Sequence, residues 1–422
     1  MSEPSSARSG RRIVQKFGGT SLGSLELIRA AAQRVAAAHQ AGDQVAVVCS
    51  AMGGETDRLL GMARAMAADA ERAEVDVLLA SGEQVSIALM AIALRELGLQ
   101  ARSWLGFQVP VITEATAGKA RIRQIETAGL IEDLQGGVIP VVAGFQGVDE
   151  HGRITTLGRG GSDTSAVALA VALEADECQI LSDVDGVYTT DPRAVDDAQL
   201  IRRLSFEEML ELAGQGSKVL QTRSVEFASK HGMAVRVMHS TGADPGTLIA
   251  DEEEGALEAP LVSGIAFSRD EAEITVTRVP NLPGTAYKIL SPVSEANIEV
   301  DMIVMASHPD GGVDVTFTVH RNEFVQAIKC VESALVELPG SEVRGNSNVV
   351  KIAAVGIGMR SHAGIASRMF EALAAERINV RMVSTSEIKM AVLVDEEYLE
   401  LGVKALHQAF RLHEPPATDQ AR

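Results

Sequence analysis

The chain has 422 residues, of which 46% are hydrophobic and only 3% aromatic, and its formal net charge at pH 7 is −19. This length allows two or three domains and a large core built mainly from aliphatic side chains. The acidic balance excludes a general attraction to DNA, RNA or anionic lipid. An anionic ligand would therefore need a local group of cations and backbone N–H donors.

The sequence carries no export or membrane signal that we recognise. Residues 1–12 are polar and are expected to be disordered, and no apolar run follows Arg11 and Arg12. We expect no segment to reach the apolar length that spans a bilayer. The cysteines lie in apolar stretches without metal-ligand spacing, which predicts buried, reduced thiols and a cytoplasmic protein. These cysteines are Cys49, Cys178 and Cys330.

Short β-branched runs alternate with helical spacing of apolar residues between residues 12 and 240. Strands are predicted at 13–17, 45–49, 138–143, 179–182 and 235–238. Helices are predicted at 25–39, 75–98, 164–174 and 219–231. This alternation is typical of an α/β fold with a mostly parallel sheet covered on both faces, in which ligands bind at the carboxyl ends of the strands.

A glycine motif follows the first predicted strand. It contains Lys16, Gly18, Gly19, Thr20 and Ser21. Two glycines let the backbone approach a phosphate, and successive N–H groups can surround an anion. The lysine precedes the glycines, so this is not a Walker A loop, and a plain strand–turn–helix connection would give a similar pattern.

A second motif precedes a strongly apolar helix. Gly158, Gly160 and Gly161 surround Arg159, and Ser162 and Asp163 follow. A helix N-terminus favours anions, and arginine can bind a carboxylate or phosphate through two hydrogen bonds. Asp163 alone would suit a simple helix start, but a cap does not need an arginine and three glycines.

Three further features have both a functional and a structural interpretation. The stretch from Ser182 to Arg193 offers carboxylates, an aromatic and an arginine, although Asp-Gly and Asp-Pro are also turn dipeptides. Lys218 follows Gly216-Ser217 and is either a ligand or a surface lysine. Glu83 lies inside the apolar stretch 77–94, so it is either buried and paired or part of a site.

The C-terminal third contains a tandem repeat. Gly284, Lys288 and Met302 recur as Gly364, Arg368 and Met382, an offset of 80 residues, and the offset later shortens to 75. This pattern predicts a duplicated βαββαβ unit with a shorter hairpin in the second copy. The stretch 240–262 before the repeats contains Pro, Gly and an acidic run and is expected to be a linker.

Taken in order, these motifs resemble the aspartate kinases, and the two repeats resemble their paired ACT domains. The likeness extends from about residue 13 to residue 412 and is greatest to the lysine- and threonine-sensitive bacterial type. It implies an amino-acid-kinase-type three-layer αβα sandwich followed by two ferredoxin-like ACT domains. The expected organisation is a tail at 1–12, a catalytic domain at 13–240, a linker at 241–262, ACT domains at 263–340 and 348–413, and a tail at 414–422.

The resemblance implies ATP- and Mg²⁺-dependent phosphorylation of the β-carboxylate of L-aspartate to 4-phospho-L-aspartate, the first step toward lysine, threonine and methionine. It implies catalytic roles for Lys16, Asp163 and Lys218. Aspartate-binding positions are Ser50, Thr56, Glu83, Phe145, Arg159, Gly160 and Ser162. ATP-side positions are Lys16, Gly18, Gly19, Thr20, Ser21, Ser182, Asp183, Tyr188, Arg193 and Lys218, and no side chain is assigned to a metal.

The resemblance also implies lysine and threonine as effectors bound by the ACT domains of a homodimer, with no nucleic acid or membrane partner. Effector positions are Asn281, Pro283, Gly284, Asp301, Met305, Ala306, Ser384, Thr385, Ser386 and Glu387. In lysine- and threonine-sensitive relatives a Gln-Asn pair usually occupies the positions of Met305 and Ala306. Their replacement removes amide hydrogen bonds to an effector, which predicts weakened feedback inhibition.

Two alternatives stay open from the sequence. One is another amino-acid kinase, such as a glutamate or acetylglutamate kinase. The other is a catalytically silent ACT sensor, which would be expected to lack cationic residues such as Lys16, Arg159 and Lys218.

Overall fold

The computed structural model describes residues 10–251, 262–309, 311–359 and 364–414. The chain divides into two compact units, the first made of residues 1–187, 200–213 and 218–257 and the second of the remaining residues. Residues 1–9 and 415–422 of the expected tails and 252–261 of the expected linker lie outside the described residues. In the described parts of these stretches, Arg12 is the first residue of a strand and Thr247–Ile249 form another strand.

An eight-stranded sheet forms the centre of the first unit, with strand order β10-β12-β11-β9-β1-β2-β6-β3. Every neighbouring pair is parallel except β11 with β12, which confirms the predicted mostly parallel sheet. These strands are β1 (Arg12–Phe17), β2 (Gln44–Cys49), β3 (Ala101–Trp104), β6 (Ile139–Ala143), β9 (Glu177–Ser182), β10 (Arg203–Leu204), β11 (Val235–His239) and β12 (Thr247–Ile249).

Seven helices accompany this sheet. They are α1 (Leu25–Gln40), α2 (Glu55–Met66), α3 (Arg72–Glu96), α4 (Ala128–Gln135), α5 (Gly161–Ala172), α6 (Phe206–Gly214) and α7 (Thr222–His231). Alternation along β1 directs Ile13 and Phe17 into a core shared with α1 and α3. Lys16 therefore faces the opposite side of the sheet, where α5 packs.

The longest helix corrects our expectation about membrane spans. By length and composition alone, α3 could cross a bilayer. It instead packs on the sheet, where Ile87, Met90 and Leu94 join the core, and it buries the carboxylates of Asp76 and Glu83. A helix that buries a broad face in a protein core has an apolar composition similar to that of a helix surrounded by lipid, because in both cases the apolar side chains are kept away from water.

A small four-stranded sheet, ordered β5-β4-β7-β8, completes the first unit. Its strands are β4 (Val111–Thr113), β5 (Ile122–Ile125), β7 (Gln146–Val148) and β8 (Ile154–Thr156). The strand β8 leads directly toward the glycine turn before α5.

The second unit is built on a six-stranded antiparallel sheet, ordered β14-β15-β13-β16-β18-β17. The strands are β13 (Gly264–Pro280), β14 (Val300–Ser307), β15 (Gly312–His320), β16 (Glu342–Val355), β17 (Met382–Thr385) and β18 (Lys389–Asp395). The helices are α8 (Thr285–Glu295), α9 (Phe324–Ala334), α10 (Ile365–Ala375) and α11 (Leu399–Ala409).

The predicted duplication is confirmed by the element bounds. Helices α8 and α10 are offset by 80 residues at both ends, and α9 and α11 by 75. Both Gly284 and Gly364 precede their helices with positive φ angles of 91° and 113°, a conformation that glycine adopts without strain.

The two copies share strands rather than standing side by side. Residues 342–346 of β16 pair with the second half of β13, next to β15, and so complete the first copy. Residues 349–355 of β16 pair with β18 on one side, and residues 351–355 pair with residues 264–268 of β13 on the other. The second copy therefore takes its fourth strand from a segment that precedes the first copy in the chain.

Two local expectations were wrong. The helix predicted from residue 219 begins at Thr222. Leu220 is buried in the preceding loop, and its apolar side chain fits the helical spacing although it lies outside the helix. The thiols of Cys49 and Cys178 are buried and free, but Cys330 is only half-buried.

Candidate active site

Four neighbouring parallel strands end at one edge of the eight-stranded sheet, in the order β9, β1, β2 and β6. The loops that follow them carry many of the predicted site residues, because carboxyl ends of parallel strands meet at a common edge. These residues are Gly18 and Gly19 after β1, Ser50 after β2, Phe145 after β6, and Ser182 and Asp183 at the end of β9.

The centre of this edge is an ion pair between Lys16 and Asp163. Lys16 Nζ lies 2.6 Å from Asp163 Oδ1, and the two side chains are 10% and 12% exposed. Lys16 is the penultimate residue of β1, and Asp163 lies in the first turn of α5. Removing either partner would leave a buried charge without compensation, so each one fixes the position of the other.

Glycines bring two loops into close contact beside Lys16. A Cβ atom at Gly19 would lie 2.9 Å from the Ala51 carbonyl oxygen, and one at Gly53 would lie 3.2 Å from that of Gly19. The loops need this small residue type because any side chain would force them apart. Next to them, the Oγ atom of Ser21 is buried without a hydrogen-bond partner among the described residues. An unpaired buried hydroxyl is uncommon, and this one is available to donate a hydrogen bond to an acceptor atom of a ligand.

Glu83 projects from α3 toward the same loops. Its Oε1 atom accepts a hydrogen bond of 3.0 Å from Ala51 N–H, whereas Oε2 is buried and has no partner among the described residues. Burial raises the pKa of Glu83 to about 8, and the backbone hydrogen bonds offset only part of that effect. The carboxyl group is therefore mostly neutral at pH 7 and can ionise when a cationic group binds beside it.

The turn before α5 presents Arg159 to solvent. Gly158 and Gly160 flank it with φ angles of 79° and 69°. A Cβ atom at Gly160 would lie 1.9 Å from Gln221 Cγ, so the turn tolerates only glycine there. Within the part of the chain described, Arg159 is exposed and has no hydrogen bond or ion pair.

Phe145 is strained at the opposite side of this turn. Its φ angle is 67°, unusual for a bulky residue. Its N–H donates to Ser165 Oγ (3.0 Å), and its carbonyl accepts from Leu157 N–H (2.9 Å). Such strain persists where surrounding hydrogen bonds hold the backbone in a conformation that it would not otherwise adopt, and it is commonly found at binding sites.

Sequence reasoning missed two side chains that hold the turn in place. Asp76 on α3 accepts hydrogen bonds from Thr156 N–H, Thr156 Oγ1 and Gly118 N–H. Arg223 on α7 donates to the carbonyls of Leu157 and Ala120, both at 2.8 Å. A helical aspartate or arginine carries no local sequence signal, and the position of Asp76 in an apolar helix was the only available hint.

The remaining predicted residues lie elsewhere in the first unit or in the second unit. Thr56 lies in the first turn of α2, and Lys218 is exposed in the loop before α7. Ser182 Oγ donates to the exposed Asp183 (3.0 Å). Tyr188 and Arg193 belong to the second unit, where Arg193 forms a two-point ion pair with Asp191.

The predicted effector residues of the first ACT copy lie at one end of the sheet. Asn281, Pro283 and Gly284 form the loop between β13 and α8, and Met305 and Ala306 are exposed on the edge strand β14. At the start of β14, Asp301 pairs with Lys351, whose buried ammonium also lies 3.1 Å from Glu271. These two carboxylates outweigh the desolvation of the lysine and raise its pKa.

The corresponding residues of the second copy lie at the other end of the sheet. Ser384 and Thr385 end the edge strand β17, and Ser386 and Glu387 form the turn that follows. The hydroxyl of Ser386 accepts hydrogen bonds from Ile388 N–H and Lys389 N–H, so this side chain already stabilises the turn.

Comparison with known families assigns both parts of the chain. The profile of the Amino acid kinase family matches residues 11–239, and two ACT domain profiles match residues 273–336 and 352–410. The fold and the site are therefore those of an amino acid kinase with two ACT domains.

Several relatives are similar over almost the whole chain. An aspartate kinase of Pseudomonas fluorescens (strain SBW25) is 56% identical over 96% of this chain and 98% of its own length. An aspartokinase of Corynebacterium glutamicum is 45% identical, with 95% and 96% covered. Crystal structures of E. coli aspartokinase III match with TM-scores of 0.78 (aspartate and ADP complex, R-state) and 0.75 (lysine and aspartate complex, T-state). Their identities are 26% and 27%, over 94% of this chain and 99% of theirs.

The chain belongs to the aspartate kinase family. Its activity is the phosphorylation of aspartate under the control of paired ACT domains, as the family relationship shows.

Replacing Lys16 tests the centre of the site. Lys16→Met should lower kcat by about 100-fold or more, because loss of one preorganised charge-stabilising donor typically costs about 3 kcal/mol in the transition state. Steady-state kinetics with aspartate and ATP measures the effect. Lys230→Met, which removes an exposed lysine at the end of α7, should retain wild-type kcat. Normal turnover by Lys16→Met would show that this cation has no catalytic role.

The raised pKa of Glu83 predicts a specific loss of stability with pH. The folded pKa of about 8 exceeds the ordinary value of 4.5, so the folded state binds a proton that the unfolded state has released between these values. Stability from this group must fall as pH rises through that window. Glu83→Gln removes this titration. As pH rises from about 5 to about 8.5, the free energy of unfolding of the variant should increase relative to that of wild type by on the order of 3 kcal/mol.

Urea unfolding at both pH values measures this difference. Glu226→Gln changes an exposed glutamate on α7 and should follow wild type at both pH values. Parallel pH dependence of Glu83→Gln and wild type would mean that Glu83 titrates normally in the folded protein.

Proposed function

We propose that this chain transfers the γ-phosphoryl group of ATP to the β-carboxylate of L-aspartate and forms 4-phospho-L-aspartate. The observation that carries the proposal is the buried Lys16–Asp163 pair beside the glycine loops, with Glu83 offering an unpartnered carboxyl oxygen nearby. This arrangement supplies a cation for phosphate and an acid for an ammonium group in one region.

The chemistry requires positioning more than proton transfer. A carboxylate with a reference pKa of about 3.9 is already ionised at pH 7, so no general base is needed to create the nucleophile. The difficulty is to bring two anions together and to stabilise charge on the transferred group. The absence of a histidine or cysteine from the proposed residues agrees with this requirement.

The proposed roles follow the chemistry of each side chain. Lys16, held by Asp163, stabilises the transferring phosphoryl group, and Lys218 adds a second cation. Glu83 receives the α-ammonium of aspartate, and the exposed Arg159 receives a carboxylate. The positions that complete the aspartate site are Ser50, Thr56, Phe145, Gly160 and Ser162.

The region around Gly18 and Gly19 fits a nucleotide phosphate. Thr20 and Ser21 begin a short 3₁₀ turn there, and the unpaired Ser21 hydroxyl faces no internal partner among the described residues. Ser182, Asp183, Tyr188 and Arg193 are the remaining residues proposed for the ATP side.

Mg²⁺ would bind chiefly through phosphate oxygens, and we assign no side chain as its ligand. The exposed carboxylate of Asp183 at the same sheet edge is an oxygen donor of the type that Mg²⁺ accepts, so the residues present fit the ion. When bound, Mg²⁺ neutralises charge on the phosphates.

Regulation by amino acids is proposed to be weak in this chain. E. coli aspartokinase III has been solved with lysine in its T-state. Here Met305 and Ala306 lie exposed on β14, where amides would be needed to bind an effector's polar groups. A thioether and a methyl group offer neither a strong donor nor a strong acceptor.

The chain is proposed to form a homodimer through its ACT domains. Residues Ile303, Val304 and Met305 on the edge strand β14 are 50%, 37% and 52% exposed. An apolar edge strand is an aggregation hazard unless another surface covers it, and a second copy of the same edge would do so.

The proposed reaction is tested by trapping the acyl phosphate with hydroxylamine. Purified protein with ATP, Mg²⁺ and L-aspartate should form aspartyl hydroxamate, and L-glutamate or N-acetylglutamate should not replace aspartate. Addition of lysine plus threonine at low millimolar concentration should leave most of the activity.

The outcomes separate the alternatives. Hydroxamate from glutamate or acetylglutamate instead of aspartate would indicate another amino-acid kinase. A folded protein that forms no hydroxamate from any of these substrates would support the silent sensor. Full inhibition by low-millimolar lysine plus threonine would refute the argument from Met305 and Ala306 while leaving the kinase reaction intact.

Restoring amides at the effector positions should restore inhibition. The double substitution Met305→Gln and Ala306→Asn should lower the concentration of lysine plus threonine needed for half-inhibition by about tenfold, which corresponds to about 1.4 kcal/mol of recovered hydrogen bonding. Hydroxamate assays across an effector titration measure this. Val325→Gln on α9, another exposed apolar position, is the control and should leave the half-inhibition concentration unchanged.

A further inference from the structure

Two histidines and an aspartate meet in the second unit, and none of the three is given a role above, although Asp197 shares the segment 188–199 with Tyr188 and Arg193. One ligand atom from each of Asp197, His407 and His413 lies within 4.8 Å of the corresponding atoms of the other two. Asp197 belongs to the segment 188–199, His407 to the last turn of α11, and His413 to the turn that follows. No part of the proposed reaction uses them.

His407 is fully buried yet incompletely satisfied. Its Nε2 atom lies 2.9 Å from Thr189 Oγ1, whereas Nδ1 has no hydrogen-bond partner among the described residues. Nδ1 points instead toward Asp197, whose Oδ1 atom is 3.6 Å away, too far for a hydrogen bond. The Nδ1 atom of His413 is likewise buried without a partner there.

The surroundings hold His407 in this orientation. Thr189 accepts a hydrogen bond from Gln199 N–H through its hydroxyl, and its carbonyl accepts one from Ile265 N–H (2.7 Å). In the tautomer that carries its proton on Nε2, His407 donates to Thr189 Oγ1 and its Nδ1 atom has a free lone pair. Histidines that bind metals commonly have such a partner on the other ring nitrogen.

Two packing features bring the other ligands to His407. Val195 is buried with Leu406 and Leu412 in the core of the second ACT copy, which fixes the segment that carries Asp197 against α11. After the helix, Leu412 N–H returns to the His407 carbonyl (3.0 Å), and Arg411 adopts a positive φ of 57°. This chain reversal places His413 over the helix end.

The three side chains turn potential ligand atoms toward one another. Within the described residues, His407 Nδ1 and Asp197 Oδ1 face each other without a hydrogen bond. Two imidazole nitrogens and one carboxylate oxygen are the donor set of three-ligand zinc sites with water in the fourth position. The Asp197 side chain is 54% exposed, which gives an ion access from solvent.

We propose that Asp197, His407 and His413 bind a divalent transition-metal ion, Zn²⁺ in the first instance, and thereby fasten the segment 188–199 to the end of α11. In a tetrahedral site with bonds of about 2.0–2.1 Å, ligand atoms lie about 3.3 Å apart, so the three atoms must approach by at most about 1.5 Å. Asp197 is largely exposed and His413 is only half-buried, so side-chain rotation at these two residues supplies that adjustment. The fully buried His407 needs no movement.

Metal titration of the full chain tests the site without reference to turnover. Protein stripped with a chelator should bind one Zn²⁺ per chain by isothermal titration calorimetry at pH 7. Asp197→Asn and His413→Gln should each weaken the affinity by about tenfold or more, since each removes one of three ligands. The neighbouring exposed carboxylate is the matched control, and Asp196→Asn should bind Zn²⁺ like wild type.

Substitution with Co²⁺ gives a second readout. Nitrogen and oxygen ligands in tetrahedral geometry should produce visible absorption bands that disappear in Asp197→Asn and His413→Gln. Both replaced side chains are at least partly exposed, and circular dichroism of the metal-free variants verifies that they fold. Absence of saturable Zn²⁺ binding to wild type, or full affinity in both variants, would overturn the proposal.

Discussion

The buried pair of Lys16 and Asp163 is the constraint around which the catalytic unit is arranged. A lysine at the end of a central strand can keep its charge in a largely dry position only if a carboxylate meets it there. Asp163 can do so because α5 begins at that point, after a turn in which Gly160 has no room for a side chain. Asp76 and Arg223 hold the turn from two other helices. Elements that are distant in the sequence thus together hold the carboxylate that neutralises the Lys16 ammonium.

Two carboxyl groups near this edge of the sheet lie in different environments. Asp163 lies against a cation, whereas Glu83 lies among apolar groups with one backbone donor. Burial raises the pKa of Glu83 to about 8, so this carboxyl group keeps its proton at neutral pH, whereas Asp163 is paired with the Lys16 ammonium. An amino-acid substrate brings both an ammonium and carboxylates, and such a divided environment suits it better than a uniformly basic pocket.

Much of this fold could be predicted from the sequence, because strand and helix periodicities are local properties. The strands around Ile13 and Val45 and the 80-residue repeat offset at Gly284 are examples. Asp76 and Arg223 could not be predicted as supports, since their partners are backbone atoms far away in the chain. The apolar helix α3 also misled the estimate of membrane-spanning length, because composition does not distinguish a protein core from a bilayer. The site residues carried over from family resemblance remain predictions where the geometry is silent, as for Lys218.

Because the two ACT copies share strands, neither copy can form its complete sheet without residues that belong to the other part of the duplicated region. Residues 264–268 precede the first copy but complete the sheet of the second, and β16 serves both copies without interruption. A fragment that starts between the copies would leave one side of β16 uncovered, although the repeat appears intact in the sequence. A fragment that keeps the complete sheet of the second copy must therefore include residues 264–268. Substitutions in that short segment are consequently restrained by the strand it pairs with, since Gly264 lies opposite Val355 and Ser268 opposite Lys351.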